Sequence, residues 1–270
     1  MNVGLALSGG AARGIAHIGV LKYLEEKKVK PCCIAGTSAG SIVGAMFCSG
    51  KTAEEIEDAA KTISWKDLLK LSIPRKGLIK SEMLLAILEK YIGDIEFSDL
   101  KIPLMINAVD LLSGEEVVIT EGKVAEAVQA SCAMPGIFTP VRLGEHLFVD
   151  GGLLDNVPVT VMEKFDLDYI IAVDVGAQKP LQKEPDSIFE VIIQSFDIIR
   201  RQRDMPAHEL ADIIIEPELG DILIWDISKI DLLIERGYEA AGKALQDVDL
   251  LRKKGKILNW LSRRRKKKAG

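Results

Sequence analysis

No stretch of this 270-residue chain approaches the roughly 20 consecutive apolar residues needed to cross a bilayer. The opening, MNVGLALSGGAARG, has neither a basic n-region nor a small-residue cleavage site, so no secretory signal is expected. Cysteine is sparse. Cys32, Cys33, Cys48 and Cys132 lack paired metal-binding spacing, and the adjacent Cys32 and Cys33 are poorly placed to bridge each other. Reduced, buried thiols in a cytoplasmic protein are the expectation. Histidine is sparser still, with only His17, His146 and His208 to serve as an imidazole base. What the chain does have is apolar content, 48%, beside 28% charged residues, which excludes disordered and collagen-like classes.

The charge is unevenly spread. The whole chain carries 35 basic and 40 acidic residues, a net −5. Arg252 to Lys268 holds ten basic residues and no acid, so residues 1–251 are left at −15. Between the two basic clusters lies the apolar patch Ile257-Leu258-Asn259-Trp260-Leu261. A basic segment with Trp and Leu suits an anionic membrane face, at about 1 kcal/mol per basic residue near the surface. The competing reading is a solvated tail. Nucleic acid is disfavoured, because a nucleic-acid reader carries its positive charge on its fold. The expected organisation is one α/β domain over 1–251 and a basic C-terminal tail over 252–270. Peripheral contact with the inner membrane face is the alternative to a purely cytoplasmic location.

The apolar runs outline the fold. NVGLALS (2–8) is a buried strand ended by Gly9-Gly10, and residues 12–27 place Ile15, Ile18, Leu21 and Leu24 at helical spacing. CCIAGT (32–37) is a second strand, after which Ser38 opens a helix of small residues. Two β–α units in fifty residues argue for a parallel sheet with right-handed crossovers. Residues 52–92 read as amphipathic helix, interrupted by a connector with Pro74 and Gly77. A hairpin is expected over 104–109 and 116–120, a helix at VAEAVQASC, and strands at HLFVD (146–150), YIIAVDV (169–175) and ADIIIEP. Helices are expected at 187–204 and 230–253.

Two glycine turns carry the chemistry. Gly36-Thr37-Ser38-Ala39-Gly40 is G-x-S-x-G between a strand and a helix, a context that thrusts the serine out of the sheet edge beside a helix N-terminus. An ordinary serine N-cap is the plainer alternative. Ser8-Gly9-Gly10-Ala11-Ala12-Arg13-Gly14 leaves backbone N–H groups unshielded, fit for a phosphate or an oxyanion. A dinucleotide site competes for this turn, but the second strand ends without the acid that would hold a ribose. For a base, His17 lies on the packing stripe of its helix, His146 starts a strand, and His208 sits in a polar stretch without a motif. Asp150, ending an apolar strand before Gly151-Gly152, is the other candidate. A carboxyl with a pKa near 3.9 becomes useful only if burial raises it. A plain Asp-Gly-Gly turn is the competing reading. Leu219–Ile227 reads as ordinary packing, with an acyl groove as its alternative.

Taken together these motifs resemble the patatin-like phospholipase family, in its bacterial, single-domain form. The resemblance rests on Gly9-Gly10-Ala11-Ala12-Arg13-Gly14, Gly36-Thr37-Ser38-Ala39-Gly40 and Asp150-Gly151-Gly152. A further segment, Ala130 to Pro140, matches the S-x-A-x-P-x-x-F-x-P pattern of that family. The resemblance implies a three-layer α/β/α fold with a mostly parallel central sheet. It implies Ser38 as nucleophile, Asp150 as base, the N–H groups of Gly10 and Ala11 as oxyanion hole, and Arg13 as support for that loop. It also implies hydrolysis of lipid or fatty-acyl esters without cofactor or metal. Ala11 stands where the family often has a third glycine, and its methyl group is expected to limit the loop to dihedrals an L-residue tolerates. A catalytically weak binding or regulatory protein on the same fold, at a membrane surface, is the alternative.

Overall fold

The computed structural model describes residues 2–62, 81–176, 184–185, 188–203, 209–220, 222, 227–246 and 248. The whole connector around Pro74, His208, most of Leu219–Ile227 and the whole basic segment Arg252–Lys268 lie outside the described residues.

The first β–α unit is β1 (Val3–Leu7), a short 3-10 turn at Ala11–Ile15, and α1 (Ala16–Glu26). The second is β2 (Cys33–Gly36) and α2 (Ala39–Cys48). Helices α3 (Ala53–Thr62) and α4 (Ser81–Ile92) come next, then a hairpin of β3 (Leu104–Asp110) and β4 (Glu115–Ile119). After α5 (Val124–Ser131), a second hairpin joins β5 (Val141–Leu143) to β6 (His146–Asp150). The described chain then forms β7 (Tyr169–Val173), α6 (Ile188–Arg203), β8 (Ile213–Ile215) and α7 (Ile230–Leu245). The predicted helix over 12–27 thus begins as a 3-10 turn, and the one over 230–253 forms α7 to Leu245, with most of its remaining positions outside the described residues.

The sheet order is β5-β6-β3-β2-β1-β7-β8, with β4 added along β3. The run from β3 through β2, β1 and β7 to β8 is parallel, whereas β4, β5 and β6 are antiparallel to their neighbours. Every residue of β1 is buried, because both faces of the central strands are covered. Side chains alternate between the two faces. Val3, Leu5, Leu7, Ile34, Ile171 and Val173 pack into the larger core, formed with α1, α2, α3, α4, α5 and α7. Ala6, Cys33, Ala35, Ile170 and Ala172 pack into a thinner layer formed by Val157, Val159, Met162 and Leu167. Cys33, Cys48 and Cys132 are buried as expected; Cys32 is exposed, since it precedes β2 and points opposite to Cys33.

Register brings distant residues level. Leu7 pairs with Gly36, and Gly36 with Ile106, so Gly9 and Ser38, just past the ends of β1 and β2, stand level with Ala108 inside β3. Ala108 in turn pairs with Asp150 of the antiparallel β6. Asp150 therefore reaches the height of Ser38 by entering from above, although 112 positions separate them.

Candidate active site

Ser38 is held in a sharp turn at φ 49° and ψ −121°, a region that side-chain-bearing residues rarely occupy. Backbone strain of this kind stores about 1–3 kcal/mol and persists only where surrounding contacts fix it. Those contacts are present. Gly40 lets α2 lie directly on β1, because a Cβ there would run into the Leu7 carbonyl. The Ser38 N–H donates to Ser131 Oγ at 2.8 Å, from the C-terminal end of α5. Thr37 Oγ1 donates to Asn107 Oδ1 and to the Asp155 carbonyl, and Asn107 Nδ2 donates to the same carbonyl. This network pins the end of β2 and the loop beyond Asp150 to β3.

Ser38 occupies the N-cap position of α2, yet its hydroxyl makes no capping hydrogen bond. It donates instead to Asp150 Oδ2 at 2.7 Å. The other carboxylate oxygen, Oδ1, accepts the Gly152 N–H at 2.8 Å, so the Asp-Gly-Gly segment is a capped turn as well. The Asp150 N–H donates to the Ala133 carbonyl at 3.1 Å. Ser131 and Ala133 thus brace the two functional groups from one short segment. Burial pushes the Asp150 carboxyl up to about 6, against the opposing pull of the Gly152 amide, the Ser38 hydroxyl and the Arg200 charge. A carboxylate that titrates near neutrality, bonded to a hydroxyl at a helix N-terminus, is chemically able to take up that hydroxyl's proton.

The turn after β1 lies beside this pair. Among the described residues the N–H groups of Gly10 and Ala11 meet no acceptor, while the Gly9 N–H donates to the Asn156 carbonyl and the Arg13 N–H to the Gly10 carbonyl. Free amides at this point can receive a negatively charged oxygen. Arg13 is buried and its Nε donates to the Ile222 carbonyl at 3.0 Å, tying the turn to the segment before α7. Gly14 packs against Ala39 at the start of α2, and Gly36 against Ser41. Gly151 lies against the Asn107 backbone. Contrary to the sequence expectation, Ala11 does not keep an ordinary L-residue backbone. It sits at φ 49°, because the chain must reverse between β1 and the 3-10 turn whether or not glycine is present.

His17 is enclosed in α1, its Nε2 2.8 Å from the Ser8 carbonyl, and burial lowers its pKa to about 4. His146, at the start of β6, pairs with Asp110 at the end of β3. Among the described residues no cluster of His, Cys, Asp and Glu has the form of a metal site. No described helix is long and apolar enough to cross a membrane.

Two cavities meet at Ser38 and Asp150. One, of about 210 Å³, is walled by Ile15, Ile18, Ile42, Val43, Met46 and Phe138. The other, of about 70 Å³, is bordered by Gly10, Arg13, Asn156, Asp197 and Arg200. Asn107, Asn156 and Arg200 belong to no motif singled out in the sequence, and Thr37 lies in the Gly36–Gly40 motif without an assigned role. Their signal was a polar residue inside or beside an apolar run, which becomes specific only with the strand register known.

The comparisons with known proteins agree with this architecture. An uncharacterized NTE family protein of Mycobacterium tuberculosis is 30% identical over 278 residues, which cover 93% of this chain and 48% of the relative. Lysophospholipase NTE1 of Debaryomyces hansenii is 33% identical over 182 residues, covering 65% of this chain and 12% of the relative. The chain spans about half the length of the mycobacterial relatives it matches. Among solved structures, VipD from Legionella pneumophila shares the fold, with a TM-score of 0.63 at 13% identity, covering 91% of this chain and 66% of VipD. The model of the patatin-like phospholipases matches residues 5–162, which include the end of β1, the Ser38 turn and Asp150. The chain belongs to the patatin-like phospholipase family.

Proposed function

We propose that this chain hydrolyses fatty-acyl esters through a Ser38–Asp150 dyad. The observation that carries the reading is the 2.7 Å hydrogen bond from Ser38 Oγ to Asp150 Oδ2 at the mouth of an apolar cavity. In the first step Ser38 Oγ attacks the acyl carbonyl carbon while its proton passes to Asp150 Oδ2. The carbonyl oxygen becomes an oxyanion and is received by the N–H groups of Gly10 and Ala11. Collapse of the tetrahedral intermediate expels the alcohol, which takes the proton from Asp150 and leaves an acyl-enzyme. Water then attacks the acyl-enzyme, giving its proton to Asp150, and the fatty acid departs as Ser38 regains its hydrogen. The apolar cavity takes the acyl chain. The lysophospholipase named among the relatives supports a lipid ester as the substrate class.

A fluorophosphonate probe is expected to label the protein stoichiometrically and to stop ester hydrolysis in parallel, with the adduct mapped by peptide mass spectrometry to Ser38. An adduct elsewhere, or labelling without loss of turnover, overturns the dyad.

The basic segment Arg252–Lys268 belongs to the same proposal as a contact with anionic lipid. Removal of residues 252–270 is expected to weaken binding to anionic vesicles in a sedimentation assay. Equal binding by the shortened chain overturns that role.

A further inference from the structure

If the larger cavity takes the acyl chain, the smaller one, bordered by Arg13, Asn156, Asp197 and Arg200, is left for the alcohol half of the ester. Asn156 borders the smaller cavity and is not part of the larger one. It is 3% exposed, and its side-chain Nδ2 is buried without a hydrogen-bond partner among the described residues. Buried amides are nearly always paired, and one left unpaired lowers stability. Asn107, buried nearby, follows the rule, with its two side-chain ends bonded to Thr37, Glu116 and Asp155.

The backbone makes room for the Asn156 amide from two sides. Its Oδ1 lies 2.6 Å from where a Cβ on Gly9 would stand and 3.0 Å from that of Gly152. Gly9 precedes the free amides of Gly10 and Ala11, and the Gly152 N–H holds Asp150. The glycines of both turns that frame the reacting atoms therefore bring this side chain close to them. A side-chain amide beside the reaction centre, bordering the second cavity and with its Nδ2 unpartnered among the described residues, has the character of a substrate contact.

We infer that Asn156 is a specificity-determining residue that hydrogen-bonds a free hydroxyl on the alcohol half of the ester. A hydroxyl both donates and accepts, so it serves the amide whichever way its two ends are turned. The favoured substrates are then monoacyl esters of a polyol, a chemistry shared by acylglycerols and lysophospholipids. This inference rests on the hydrolase reading above.

The test uses three octanoyl esters: ethyl octanoate, 2-hydroxyethyl octanoate and octanoyl-lysophosphatidylcholine. In the full chain, Asn156→Ala is expected to lower the ratio of kcat/KM for the hydroxyethyl ester to that for the ethyl ester about tenfold, and the lysophospholipid ratio similarly. If Asn156→Ala does not fold, Asn156→Ser carries the same comparison. A hydroxyethyl ratio within threefold of wild type, including equal losses on all three esters, overturns the assignment. A loss confined to the lysophospholipid places the contact on phosphate or choline and overturns it too. Wild-type protein that cleaves none of the esters refutes the hydrolase reading itself, which separates that failure from this one.

Discussion

Ser38→Ala is expected to lower kcat/KM for acyl esters by about 10⁴-fold or more, and to abolish fluorophosphonate labelling, while the protein stays folded. The chemical half follows from loss of the attacking oxygen. The folding half follows from geometry. Replacing a serine N-cap ordinarily costs about 1 kcal/mol, because a side-chain hydrogen bond to the helix end is lost. Ser38 makes no such bond, and its backbone N–H would still reach Ser131 Oγ. Alanine tolerates the same positive φ, as Ala11 does in the neighbouring turn. A thermal midpoint within a few degrees of wild type, beside vanished turnover, is the expected pair of results. Residual turnover above about one per cent would mean that another group performs the attack.

Asp150→Asn is expected to separate activity from stability. As the proposed base, Asp150 must be ionised, so wild-type kcat/KM should rise with pH through an apparent pKa near 6 and then level. The Asn variant should lose about 10³-fold and keep no trace of that acidic limb. Stability should move the other way. The carboxyl titrates near 3.8 when unfolded and near 6 in the fold, so between those values the folded chain holds a proton that the unfolded chain has released. Its contribution is fully present below about pH 4 and is lost as pH rises through 6, up to about 3 kcal/mol. Asparagine escapes that loss. Urea unfolding should show the variant gaining on wild type between pH 4 and 6 and holding its lead at pH 7.5. A stability difference that is flat with pH would mean that burial does not perturb this carboxyl.

The strand–turn–helix order of residues 3–48 is legible because each element there has its own local signal. β1 is wholly apolar, glycines follow it, and Ile18, Leu21 and Leu24 recur at helical spacing in α1. β5 is not legible, since three residues, one of them the exposed Arg142, carry no usable alternation. The part played by the Ala130–Pro140 segment is half legible. Its pattern can be matched, but that Ser131 holds the Ser38 amide and Ala133 the Asp150 amide depends on how α5 packs against α2 and β6. Asn107 reads as one more residue of an apolar strand until the pairing of β2 with β3 sets it beside Thr37. The conformation of Ala11 is hidden for a different reason. Sequence rules give the preference of an isolated residue, and here the route of the chain overrides it.

The walls of the apolar cavity and the reacting groups come from different parts of the scaffold. Met46, Ile56 and Leu84 project from three helices, α2, α3 and α4, whereas Ser38 and Asp150 are fixed at strand ends by their own bonds. On the proposed reading, dietary range and bond-breaking are separable traits in this protein. Drift in the helices can enlarge or shorten the hydrocarbon slot, and a lineage can change which lipids it consumes while its reactive oxygens stay where they are.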